Sequence, residues 1–590
     1  MQELVRAVGV HGPRSCRQSQ PLAQSLPRQS LGGLLHAGER WHSPPPWLGS
    51  AKVACREMSH SNSSSGRSYE DAVAALNSLQ SNAAYINKLV KDGVRSTNDD
   101  NRLLSCAEMI GLGPNELSNL SVIHVAGTKG KGSTSAYCES ILRHNGFRTG
   151  FFSSPHLVSL RERIRLDGRP ISTLKFTSYF WKTYDLLLGQ KIPPSSMPPY
   201  FAFLTLMAFR LFLEEKVDVA IVEVGIGGER DCTNILQNVS VVGITSLGID
   251  HTALLGNSLP SIAWQKAGIL KPTAVAYTVP GHAPEALEVI RQRSIERMCP
   301  VEVVPSLDQY LWPTLQSREA ALSLFWTQQI NASLALQLTN AWFQRRLLSN
   351  SVNTVLPPNA TLKEAPSFSI SEETATGLLA CRWPGRNHIL ESDCGRIRYF
   401  LDGAHTVESM SACVEWYKRS LPMRPGLRHA LLLNMTGDRD CLQIMKPLFS
   451  CAFDKVFFSP NIFHSPISKG SFVVLWFFLL KVYLFLFKCV NFLVLGDSVN
   501  LRVTTSSQLK QTRALYDLWV AKYQNVETNG NDSNMCSASP KVYLKNSVND
   551  ALAELQDENM EWCVLVTGSL HLVGAVLSVI DPELIKSEKS

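Results

Sequence analysis

The chain has 590 residues, 45% of them hydrophobic and 18% charged, which are the proportions of a folded globular protein rather than a disordered one. That length exceeds what a single core normally organises, so two domains plus extensions are expected. The net charge of +7 is no nucleic-acid signature: seven Arg/Lys against three Glu between Met1 and Met58 place +4 of it there, and no basic stripe interleaved with aromatics follows. None of the 14 cysteines lies at C-x-x-C spacing, which excludes the usual zinc clusters and leaves no disulfide framework, so reduced thiols are expected.

Residues 1–58 are rich in Arg, Ser, Pro and Gln, poor in acids, and lack the long apolar core of a secretory signal. They read as a disordered, transit-like segment for mitochondria. Met58 directly precedes a segment of folded character, so a second start there would give a cytoplasmic form. Helical apolar spacing runs from Tyr69 to Gly111.

Next comes VIHVAGTKGKGST, Val122 to Thr134. A β-branched run enters a loop with three glycines and two lysines, and helical spacing follows. Strand, glycine loop and helix together cradle phosphate: loop N–H groups and the helix N-terminus face the anion and a lysine neutralises it. The strict G-x-x-x-x-G-K-[ST] pattern fails, because Val125 stands at its first glycine and Gly132 separates Lys131 from Ser133.

The strands TGFFSS, VDVAIVEVG and VSVVGITSLG follow, alternating with helical runs. Continuous apolar strands of this kind indicate a parallel sheet covered on both faces. Ser154 and Glu223 close two of them, where a nucleotide-bound magnesium finds oxygen ligands. Asp231 and Asn234 extend a polar rim around the same mouth, and Asp250 beside His251 is a pair able to hold an imidazole in one tautomer. Lys266 lies among apolar neighbours in IAWQKAGIL, surroundings that lower an amine's pKa, although the spacing equally suits a snorkelling helix lysine.

Residues 347–382 are polar, proline-bearing and irregular, as in an interdomain linker. A second βα series begins near Ile389, with IRYFLDGAHT, HALLLNMTGDRD, DKVFFSP and CVLVTGSLHLVG. Arg386 and the strand-end Asp402-Gly-Ala-His405 would suit nucleotide ribose and phosphates across a domain crevice. The apolar run Phe472–Leu495 contains Lys481 and Lys488 and falls between two strands, so it reads as an insertion, at about residues 463–507, rather than a membrane span. The expected fold is α/β: a phosphate-loop, parallel-sheet ATP-binding domain at 69–346, then a smaller Rossmann-like α/β domain at 383–590.

Together GTKGKGST, GFFSSPHLVSLRERIRLDGRPIS, VDVAIVEVGIGG, DCTN, SLGIDHTALLG, IAWQKAGI, WPGR, LDGAHT, TGDRD and VLVTGSLHLVG closely resemble, in order, the folylpolyglutamate synthase family, in its eukaryotic, animal-type form. These are ATP-dependent amide ligases related to the bacterial Mur ligases. The resemblance implies that glutamate is added in γ-linkage to folates (tetrahydrofolate and its polyglutamates) through an acyl phosphate. ATP and L-glutamate would be co-substrates, Mg2+ and a monovalent cation such as K+ would assist, and the protein would be a monomer without membrane insertion.

Residue by residue, the resemblance implies that Gly127, Thr128, Lys129, Gly130, Lys131, Gly132 and Ser133 hold ATP phosphates. Ser154, Glu223 and His251 match magnesium ligands. Lys266 matches a lysine carbamylated in relatives, and Lys131, Lys266 and His405 are the expected catalytic set. Arg386, Asp402 and His405 match second-domain ATP contacts, Asn331 a residue near the nucleotide, and Pro155 to Arg163 a loop beside the pterin site. Where the family carries G-x-H-Q, this chain has LSLFWTQQ, with Thr327 at the histidine. The insertion leaves an alternative open: an inactive ATP- or folate-binding variant.

Overall fold

The computed structural model describes residues 67–79, 97–190, 197–272, 274–347, 362–393, 395–436, 439–462, 505–528, 540–556 and 560–581. These residues all belong to one compact unit, Gly66–Ser590. The transit-like segment, the start at Met58 and the run Phe472–Leu495 lie outside the described residues.

The first sheet comprises β1 (Val122–Ala126), β2 (Thr149–Phe152), β3 (Ile164–Leu166), β4 (Arg169–Pro170), β5 (Val219–Glu223), β6 (Val241–Ile244), β7 (Val275–Thr278) and β8 (Val301–Val303). Its order is β4-β3-β2-β5-β1-β6-β7-β8. From β2 to β8 every pairing is parallel, while β3 and β4 form an antiparallel edge. Side chains alternate across the sheet. Val122, Ala220 and Val222 enter one core with the helix Tyr200–Glu214. Ile123, Val125 and Ile221 enter another, with the helices Lys131–His144 and Trp326–Leu347. Burial on both faces is why these strands read as unbroken apolar runs.

The second sheet holds β9 (His388–Glu391), β10 (Ile397–Leu401), β11 (Arg428–Leu433), β12 (Lys455–Phe458), β13 (Lys541–Leu544) and β14 (Trp562–Thr567), in the order β13-β12-β11-β14-β10-β9. Only β9 is antiparallel to its neighbour. One face packs on the helix Val407–Ser420, together with Leu515 and Trp519 of the helix Thr505–Thr528. The chain therefore returns to this core after the expected insertion. The other face packs on the helix Leu570–Ile580.

Two features depart from the sequence reading. Part of the irregular stretch 347–382 is ordered: Glu364 and Ser369 bridge to Val303 and Leu311, and Glu372–Leu379 is a helix seated on the helix Lys131–His144, where Ser140 Oγ donates to the Gly377 carbonyl at 2.6 Å. In addition, Leu157 and Val158, on the loop after β2, are buried in the core of the second sheet, beside Val573 and Leu577. Gly574 permits this, because a Cβ there would overlap the Leu157 carbonyl oxygen and carbon.

Gly574→Ala is accordingly expected to destabilise the chain by about 1–3 kcal/mol, as overpacking does, and to displace the Ser154–Arg163 loop. A denaturant midpoint equal to wild type would refute it.

Candidate active site

Carboxyl ends of neighbouring parallel strands form the site, where open α/β sheets bind ligands. In sheet order β2, β5, β1 and β6 end at Ser154, Glu223, the loop Gly127–Gly130 and Asp250–His251. On the other side β11, β14 and β10 end at Asn434–Thr436, Gly568–His571 and Asp402–His405. Between the two sheets lies a cleft of about 1040 Å³. Of the expected catalytic, nucleotide and magnesium residues, all but Gly127 and Lys266 line it; of the expected rim, Asp231 does and Asn234 does not.

Glycine is required in the loop on steric grounds. Gly127 has φ +150° and lies against the Thr245 side chain, while Gly130, at φ +92°, is pressed on the Asn331 amide. The Thr128 and Lys129 N–H groups donate to the Ser246 carbonyl at 2.9 and 3.1 Å, pinning the loop to the strand beside it. The helix Lys131–His144 starts immediately, so its N-terminal amides face the cleft. Lys131 Nζ folds back to the Gly127 carbonyl at 3.1 Å. Asn331, 5% exposed, thus shapes the loop.

Beside the loop, the Ser154 N–H donates to Glu223 Oε2 at 3.2 Å. Burial pushes the Glu223 carboxyl up, and Lys131 opposes that shift. A buried carboxylate at a phosphate loop, with a serine next to it, suits magnesium, which takes one or two carboxylates and completes its shell with phosphate and water. Among the described residues no three His, Cys, Asp or Glu side chains form a metal cluster. Asp231 is buried and shapes the loop after β5, accepting from Thr233 N, Thr233 Oγ1 and Ile226 N. Asn234 turns inward, donating to the Glu229 and Gly268 carbonyls rather than joining the rim.

Lys266 is 3% exposed, and burial, followed by the Lys131 charge, pushes its amine down to about 7. A base with a lowered pKa binds fewer protons folded than unfolded, so stability rises with pH between about 7 and its unfolded pKa of ~10.4. Lys266→Met should therefore exceed wild type in melting temperature at pH 6, with the gap narrowing by pH 9 in CO₂-free buffer. A gap independent of pH would refute this.

The two sheets meet in a charged cluster. Lys129 Nζ donates to Asp250 Oδ2 at 3.0 Å and lies 3.1 Å from His405 Nε2, although Lys129 and His405 are 276 positions apart. His405 Nδ1 is 2.8 Å from the Gly403 carbonyl, which can only accept, so Nδ1 carries the proton. Burial lowers the imidazole's pKa, while the Asp250 carboxylate near Nε2 opposes that shift. Asp250 Oδ2 is 3.5 Å from that nitrogen and Arg439 lies 3.8 Å from Oδ1. The Asp250–His251 pairing is thus corrected: Asp250 accepts the His251 backbone N–H at 3.0 Å and turns its other oxygen to His405. Asp402 accepts the Asn387 N–H at 2.9 Å beside Arg386.

Sequence reading missed Asp250 as the hub and Arg439 as its partner. TGDRD was the available signal for the latter. Also in the cleft lining, Arg163 Nε donates to His156 Nδ1 at 2.8 Å, and its guanidinium lies 5.5 Å from the Tyr200 ring centroid. Phe201, Arg102 and Arg230 line the same cleft.

No protein-family model matches the chain. It is 40% identical over 573 residues to human mitochondrial folylpolyglutamate synthase, covering 88% of this chain and 92% of that one. A putative folylpolyglutamate synthase of Caenorhabditis elegans is 35% identical over 542 residues, covering 90% and 97%. The fold is similar to that of Mycobacterium tuberculosis folylpolyglutamate synthase complexed with ADP and AMPPCP, with a TM-score of 0.57, 24% identity and coverage of 87% of this chain and 99% of that one. With identity at this level along nearly the whole of its relatives, the chain belongs to the folylpolyglutamate synthase family.

Proposed function

We infer that the chain is an ATP-dependent ligase that adds glutamate in γ-linkage to folates. The observation that carries this reading is the Lys129–Asp250–His405 contact, which brings the phosphate loop and the second sheet's strand ends to one cleft. A simple phosphate-binding domain has no need of that contact. A protein of similar fold, Escherichia coli FolC, forms a complex with DHPP and ADP.

A carboxylate is a poor acyl donor, so the γ-phosphoryl group of ATP first passes to the folate's terminal γ-carboxylate, giving an acyl phosphate and ADP. The glutamate amine then attacks the acyl carbon, phosphate leaves, and the amine gives up a proton. Within the loop Gly127–Ser133, the amides from Gly130 to Ser133 and the Lys131 ammonium would hold the phosphates and offset charge developing on them. Ser154, Glu223 and His251 would hold magnesium, which neutralises phosphate charge when bound. Lys266, as a carbamate, would supply a further carboxylate at that edge; a K+ site would complete the ion set. Asp402 and Arg386 would bind the nucleotide from the second sheet, and His405 with Lys129 would keep the cleft closed around it. Tyr200 and Phe201, with the guanidinium groups of Arg163, Arg102 and Arg230 nearby, suit a flat heteroaromatic ring that ends in carboxylates.

An inactive variant is not supported. The second sheet is complete on both sides of the insertion, and its Asp402 and His405 reach the cleft. We further propose the domain limits 69–346 and 383–590, a monomer, a mitochondrial form carrying residues 1–58 and a cytoplasmic form starting at Met58. N-terminal sequencing of the protein from each compartment tests the two starts; one shared upstream start would remove the second form.

Incubation with ATP, magnesium, labelled glutamate and tetrahydrofolate should give folates with added glutamates. No extension by the full chain, while a version lacking residues 463–507 is active, would restrict the activity to that shorter form.

A further inference from the structure

The helix Trp326–Leu347 enters the cleft with its first turns: Trp326, Thr327, Ile330 and Asn331 all line it. Residues four apart share a helix face, so Trp326 and Ile330 make an apolar stripe beside a polar one of Thr327 and Asn331. Asn331 presses on Gly130 of the phosphate loop. Five residues away at about 1.5 Å each, Trp326 lies roughly 7.5 Å along the axis from that contact, a separation comparable to that between the phosphates and the base of a nucleotide.

Two aromatics stand among the exposed large apolar side chains of the described residues, Trp264 at 40% and Trp326 at 45%. Trp264 lies outside the cleft lining and has the Arg293 guanidinium 4.5 Å from its ring centroid. Trp326 faces the cleft. Its Nε1 donates to Glu415 Oε2 at 3.3 Å, on the second sheet's helix Val407–Ser420, while the preceding Phe325 is buried in that sheet's core. The indole is therefore held at one edge, beside Glu408, Ser409 and Ala412, which line the cleft from that same helix.

We propose that Trp326 is the stacking surface for the purine base of the nucleotide, with Ile330 continuing the wall, in a stretch where this chain departs from the family's G-x-H-Q. The proposal rests on the ligase reading above, since it takes the occupant to be a nucleotide whose phosphates lie on the loop Gly127–Ser133. Ordering base, ribose and phosphates along one helix lets a single rigid element set the register of the whole nucleotide.

Titration calorimetry of the full chain with ADP and with tripolyphosphate separates the base from the phosphates. Trp326→Ala should weaken ADP about tenfold or more, at the low end of base–aromatic stacking, and leave tripolyphosphate unchanged; Trp326→Phe should keep most of the ADP affinity. Unchanged ADP binding in the Ala variant, or an equal loss for both ligands, would overturn the proposal while the ligase reading stands. A wild-type chain that binds neither ligand and extends no folate would overturn the ligase reading and this proposal with it.

Discussion

Lys131→Met is expected to lower kcat about 10²–10³-fold, the usual loss when one group stabilising transition-state charge is removed. The KM for the folate should change little, because Arg163 and Tyr200 of its expected subsite belong to other elements. Methionine keeps the length and the helical start, so the folded state is preserved. Lys131 is the ammonium that acts on Glu223, on Lys129 and on Lys266, which places its charge at the centre of the cleft. A second readout follows with a fixed sign. Since Lys131 lowers the Lys266 amine, its removal must move the Lys266 titration upward from about 7, which labelling of Lys266 as a function of pH would measure. An unchanged kcat would remove Lys131 from the chemistry.

Asp250→Asn should have the next largest effect. Burial alone would raise this carboxyl, but His405 and Lys129 hold it far below the usual carboxylate range. A depressed carboxylate contributes stability above its unfolded pKa of ~3.9, and that contribution is lost as pH falls through the folded value. At pH 7 the variant should therefore be less stable by about 1–3 kcal/mol. That is below the ~3–5 kcal/mol of a fully buried broken pair, because Lys129 and Arg439 are 33% and 30% exposed and solvent screens them. The difference from wild type should shrink in acid. kcat/KM for ATP should fall about 10²-fold, on the scale of a lost preorganised group, since Lys129, His405 and Arg439 would face each other without their shared anion. Urea melts at pH 7 and pH 3, with initial rates at pH 7, test both statements; equal stability at pH 7 would refute the hub role.

The inner strands were legible in the sequence and the outer ones were not, for one physical reason. β1 and β5 are buried at every position, so they appear as unbroken apolar runs. By contrast β7 alternates between buried and half-buried positions, β8 is Val-Glu-Val, and β13 has no fully buried residue. Such short, partly exposed segments resemble loops. The site shows the same division. Strand-end motifs announced Ser154, Glu223 and Asp402 because the chemistry sits inside contiguous residues. Nothing local joined Lys129 to His405. Asp250 was assigned to its neighbour because adjacency is the only geometry a sequence displays, whereas His251, at φ +52°, starts a turn that leaves the Asp250 carboxylate free for the opposite sheet.

Leu157 and Val158, rooted in the first half of the chain yet buried in the second half's core, bear on any attempt to divide this protein. Cutting the chain within 348–361 would not release two self-sufficient pieces. The downstream piece would open a greasy socket at Val573 and Gly574 to water, at about 1.5–3 kcal/mol for each large side chain withdrawn. The upstream piece would retain its phosphate loop but lose the seat that sets Ser154 and Arg163. Nucleotide affinity could outlive the cut while recognition of the acceptor would not, and the two fragments should find each other again in solution through that same socket.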